Sequence, residues 1–89
     1  MEVYRTHGTC SRAIFFEVDE THIITSCEYD GGCHGNTQGV ARLVIGHKAE
    51  DIISMLKGIQ CREGTSCPDQ LAHALELYLA KLEKEKKQA

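Results

Sequence analysis

Apolar residues alternate with polar ones through the first third of the chain, then switch to helical spacing. In "RAIFFEVD" (12–19), Ile14, Phe16 and Val18 fall on one face by two-residue alternation. In "HIITSCEY" (22–29), Ile23, Thr25, Cys27 and Tyr29 share a face, and the intervening "DETH" suits a hairpin turn. "EVYRT" (2–6) reads as a third, weaker strand. Three antiparallel strands fit a sheet covered on one side.

After position 36 the period lengthens. Val40, Leu43 and Val44 follow helical spacing, with Asn36 or Thr37 available to cap the start and Gly46 to end it. Ala49, Ile52, Ile53 and Leu56 form a second stripe, stopped by Gly58. Leu71, Leu75, Tyr78, Leu79 and Leu82 form a third and longer one. Pro68 suits its first position, where no backbone N–H is needed. The lysines of "KLEKEKKQA" favour the negative end of the helix dipole, so this tail reads as a solvated helix end. The expectation is one α+β domain over 1–89: a three-stranded antiparallel sheet within about 2–29, then helices at about 36–46, 48–57 and 68–86.

Composition narrows the function. With 89 residues, of which 42% are apolar, the chain supports one small core; a domain of this size buries about 60–68% of its unfolded surface. A net charge of −3 gives no general attraction to nucleic acid or anionic membrane. No apolar run approaches a membrane span, and the opening "MEVYRTHG" has no signal-peptide core, so the expected location is the cytoplasm. In that compartment five cysteines point to metal ligands or redox groups before disulfides, and five cannot all pair within one chain.

Cys10, Cys33, Cys61 and Cys67 all fall at the ends of predicted elements, where distant parts of a chain can converge, while Cys27 sits mid-strand as a buried apolar residue. Zinc in a structural site takes four tetrahedral ligands, often all thiolates, and contributes folding energy to a small core. The spacing, C-x22-C, C-x27-C and C-x5-C, is not that of a zinc ribbon. It leaves three readings open: a metal tetrad, ordinary buried thiols, or a redox pair. His34 and His7 are weaker candidates as ligands or outer hydrogen-bond donors; His22 and His47 read as solvated and His73 as an ordinary helix residue. "GGCHGN" precedes a helix and could cradle phosphate, but lacks the length and the lysine of a P-loop.

"TSCPDQLAHAL", with "GGCHGNTQGVARLVIG" and "LKGIQC", resembles the TSCPD-domain family in its short stand-alone form, from "GTCSR" onward. A related domain ends the adenosylcobalamin-dependent ribonucleotide reductases, and stand-alone members often carry a ribonucleoside-diphosphate reductase label. The resemblance implies that Cys10, Cys33, Cys61 and Cys67 are the family's characteristic cysteines, that zinc or an iron–sulfur cluster is the cofactor, and that a ribonucleotide reductase or another redox protein is the partner. A reductase needs a large barrel, so this chain is expected to be an accessory to one. More distantly, the element order is similar to the NifU/IscU-like (SufE/NifU) iron–sulfur scaffold fold, with Cys10, Cys33 and Cys67 in matching places. Arg12 stands where the scaffold has an aspartate, and Ser66 where it has a histidine. With Cys61 as a fourth ligand, these departures imply a closed site suited to holding zinc.

Overall fold

The computed structural model describes residues 1–9, 11–31, 34–59 and 65–88, and only the backbone of 34–36 and 86–88. Three strands come first, β1 (Glu2–Arg5), β2 (Ser11–Val18) and β3 (Ile24–Gly31), followed by three helices, α1 (His34–Val44), α2 (Ala49–Leu56) and α3 (Cys67–Gln88). The sheet is antiparallel in the order β1-β2-β3. The architecture is the α+β arrangement expected.

Alternation along β2 sends Ile14 and Phe16 inward, and the register places Tyr29 opposite Ile14 and Cys27 opposite Phe16. Toward the start of β3 the simple alternation fails. Glu17 pairs with Ser26 but Val18 pairs with Ile24, so Thr25 is an extra residue in the ladder. This bulge shifts the phase by one position. Ile24, not Ile23, is therefore completely buried, and Thr25 is exposed.

The hairpin turn is held by Asp19. Its Oδ1 accepts from the backbone N–H of Thr21 (2.9 Å) and Ile23 (3.0 Å) and from the Thr21 hydroxyl (2.8 Å). Those donors hold its carboxyl below the usual range, the Thr21 hydroxyl contributing most. His22 takes a φ of 69° in this turn, and its Nδ1 lies 2.7 Å from Glu50 Oε2. The turn residue thus also reaches Glu50 at the start of α2. The α1–α2 connection lies alongside the start of β3: Ile24 N–H donates to His47 C=O (2.9 Å) and Gly46 N–H to Ile24 C=O (2.8 Å).

Helix α1 begins at His34, two residues before the expected start at about 36, so Asn36 and Thr37 lie in its first turn. Its buried face is Thr37, Ala41 and Val44, with Val40 partly buried; Leu43 points outward, 74% exposed. The stripe on α2 is as expected, Ala49 and Ile52 buried with Ile53 and Leu56 packed beside them. Gly46 and Gly58 both adopt a φ of 90°, the left-handed conformation that lets a chain leave a helix without a Cβ clash. The buried stripe of α3 runs through Leu71 and Leu75 to Tyr78 and Leu79, and Tyr78 meets Phe16 edge-on at 5.8 Å.

The core therefore centres on Ile14, Ile24, Leu71 and Leu75, all fully buried. Leu75→Ala is expected to cost about 2–5 kcal/mol in urea unfolding, whereas Leu43→Ala stays within about 0.5 kcal/mol of the parent.

Candidate functional site at the start of helix α3

The segment Thr65 to Gln70 carries a different hydrogen-bonding task at nearly every position. Ser66 is the N-cap of α3. Its Oγ accepts from Asp69 N–H (3.2 Å) and donates to Ile59 C=O (2.6 Å), and its C=O accepts the first helical bond from Gln70 N–H (2.8 Å). Cys67 opens the helix, and Pro68 stands second, where a missing N–H leaves no broken helical bond. The helix thus starts one residue before Pro68, because the serine cap fixes its origin.

Asp69 is buried, 5% exposed. Its Oδ1 accepts from Gly58 N–H (2.7 Å), and its Oδ2 accepts from the Thr65 hydroxyl (2.6 Å) and lies 3.2 Å from His73 Nε2. Burial works to raise its pKa, but the Thr65 and Gly58 hydrogen bonds and the neighbouring His73 together outweigh it and hold the carboxyl below its usual value. His73 also lies 3.7 Å from Glu76, which Lys57 reaches at 3.0 Å. It is a bridging residue between two acids. Gln70, equally buried, accepts from His7 N–H (2.9 Å) and donates to Thr65 Oγ1 (3.0 Å). The first turn of α3 is thereby tied to the loop after β1 by Gln70 and to the end of α2 by Asp69.

Cys67 itself is a half-buried free thiol. Its Sγ lies 3.3 Å from Ser11 Oγ at the start of β2, and Tyr29 donates its hydroxyl to the Cys67 C=O at 2.8 Å. Burial pushes the Tyr29 hydroxyl pKa up, with Cys27 and Cys67 adding to it. Of the sequence-predicted site, Cys67 alone is described; Cys10, Cys33 and Cys61 lie outside the described residues, as does the side chain of His34. "GGCHGN" is likewise only partly covered. His7 is exposed, and its ring meets Tyr4 edge-on at 6.5 Å. Among the described residues no cluster of three or more His, Cys, Asp and Glu side chains could hold a metal ion. Arg12 is exposed and pairs with Asp30 at 3.4 Å.

Cys27 lies on the inner face of β3, as its alternation required, and lines a cavity of about 290 Å³ between β3 and α1 with Tyr29, Thr37, Gln38 and Arg42. Burial pushes its thiol up to about 12. A reagent small enough to enter the cavity meets a protonated, unreactive sulfur.

The arrangement defines a small α+β domain whose cysteine-bearing helix start is clamped by buried polar side chains. The TSCPD domain model matches residues 2–79, and the chain belongs to that family. No curated protein and no solved structure matches it. Of the five residues that spell the family's name, Thr65 to Asp69, three build the cap and the clamp with their hydrogen bonds: Thr65, Ser66 and Asp69. The spacing of Ser66 and Asp69 was a readable capping signal. The roles of Ser11, Tyr29 and Gln70 were not, because their partners lie 56, 38 and 63 residues away.

Two outcomes follow for this region. Asp69→Ala removes the acceptor shared by α2 and the Thr65 loop, and is expected to cost about 1–3 kcal/mol in equilibrium unfolding. Iodoacetamide at pH 7.5 should modify Cys27 roughly 10³-fold more slowly than an unperturbed thiol, given thiolate fraction alone. Because the folded thiol pKa is raised, its contribution to stability is complete below about pH 8.5, the unfolded value. It is lost as pH rises through the folded value of about 12. Cys27→Val should flatten that alkaline decline, read from unfolding curves at several pH values.

Proposed function

We propose that the domain is a metal-binding module in which Cys10, Cys33, Cys61 and Cys67 hold one zinc ion, serving a ribonucleotide reductase or another redox partner as an accessory. The observation that carries this reading is what surrounds the Cys67 end of α3. Ser11, in contact with Cys67, is bonded directly to Cys10. Gly31, paired with Ser11 across the sheet, precedes Cys33 by two residues. Ile59, whose C=O takes the Ser66 hydroxyl, precedes Cys61 by two. One or two peptide units, each spanning about 3.8 Å, separate every other cysteine from a residue held near Cys67.

The donor chemistry fits the group. Four thiolates suit zinc or an iron–sulfur cluster and leave no open coordination position, which favours a structural role over a catalytic one. Ser66 is occupied as a cap and Arg12 as a surface ion-pair partner, so neither supplies the acid or the imidazole of a cluster scaffold. Membership of the TSCPD family supports the choice of partner class.

Protein purified without oxygen is expected to carry about one zinc per chain, with sulfur ligands at about 2.3 Å by X-ray absorption. Iron with acid-labile sulfide would instead identify a cluster carrier. Metal-free protein in which Cys61 and Cys67 oxidise reversibly would identify a thiol relay. Cys67→Ser should lose the metal and lower the Tm by about 10 °C or more, while Cys27→Val retains the metal. An unchanged Tm for Cys67→Ser measured with zinc present would overturn a structural tetrad.

A further inference from the structure

Ser11 is 4% exposed, at the point where β2 begins. Its Oγ lies 3.0 Å from Thr9 Oγ1, 3.3 Å from Cys67 Sγ and 3.4 Å from Thr6 Oγ1. Each hydroxyl has one proton to donate, which limits how these contacts can be shared. The Thr6 hydroxyl donates to the Ser11 C=O. The Thr9 proton can go to that C=O at 3.3 Å or to Ser11 Oγ at 3.0 Å. The Ser11 proton has three acceptors within reach, Thr9 Oγ1, Thr6 Oγ1 and the Cys67 sulfur.

The state of Cys67 decides between them. A neutral thiol is a weak acceptor, whereas a metal-bound thiolate has no proton and accepts only. A hydrogen bond to an anion is roughly twice as strong as one between neutral groups. We propose that the Ser11 hydroxyl, oriented by Thr9, donates to the Cys67 thiolate in the metal-loaded protein and fixes the direction of that sulfur. Ser11 is thus a positioning residue for the metal site. This rests on the metal-module reading above. Tyr29 holds the same cysteine from its other side, through the backbone C=O. Cys67 is therefore restrained at both ends, and its sulfur lies against the residue that follows Cys10.

The test is cobalt and zinc loading of the full chain and of Ser11→Ala, Ser11→Thr and Thr9→Val, with far-ultraviolet circular dichroism as a check on folding. Ser11→Ala is expected to weaken zinc about 10- to 100-fold against a chromophoric chelator and to move the thiolate-to-cobalt charge-transfer band to lower energy. Ser11→Thr, which keeps a hydroxyl, should restore both. Thr9→Val, which leaves Ser11 in place but removes its donor, should move the band the same way by less, and serves if Ser11→Ala folds poorly. A parent protein with a thiolate band, but with affinity within about twofold and an unmoved band in Ser11→Ala, overturns the role of Ser11 and leaves the metal module standing. A parent with no thiolate band overturns the metal module and this inference together.

Discussion

The buried carboxylate of Asp69 is the constraint on which the functional end of the molecule depends. An ionised acid that is 5% exposed is tolerated only if its oxygens are fully occupied. Here a backbone N–H, a threonine hydroxyl and a histidine supply the partners. Each comes from a different piece of chain: the exit of α2, the residues before α3, and the second turn of α3 itself. Satisfying one carboxylate therefore ties the start of α3 to the exit of α2 and to Thr65. Ser66 and Gln70 extend the arrangement by one hydrogen bond each, to Ile59 and to His7.

The core could not accomplish this alone. Its fully buried large side chains are Ile14, Ile24, Leu71 and Leu75, on β2, β3 and the first turns of α3. Burial of apolar surface holds α3 against the sheet but is non-directional, so it leaves the rotation and axial position of the helix loosely set. Hydrogen bonds supply the direction. The gradation along α3 reflects that division: polar side chains engaged at its start, leucines in its middle, charged residues exposed toward Glu85.

Cys27 and Cys67 show how environment separates two thiols of one small domain. Cys27 shares its face with Ile14 and Phe16, has desolvation as the sole cause of its shift, and stays protonated. Cys67 stands at a helix N-terminus, beside a hydroxyl that can donate. That contrast is the physical reason the proposed site takes Cys67 and leaves Cys27 to packing.

The sequence by itself determined the class of fold, the order of six elements, the glycine exits at Gly46 and Gly58, the inward face of Cys27, and the family. These follow from periodicity, from the φ preference of glycine and from a motif of contiguous residues, all of which are local. The tertiary structure decided the rest. A bulge at Thr25 exchanged Ile23 for Ile24 in the core, which alternation cannot reveal because one extra residue reverses every later position. Leu43 stays 74% exposed while Ala41 is buried, because the face α1 turns to the core is set by packing and not by periodicity alone. His22 found a carboxylate at the start of α2, and His73 one along its own helix. The contacts of Ser11, Tyr29 and His7 with the start of α3 join residues 38 to 63 positions apart. No spacing rule encodes such pairs; they exist because packing α3 against β2 and β3 brings those positions within hydrogen-bonding distance.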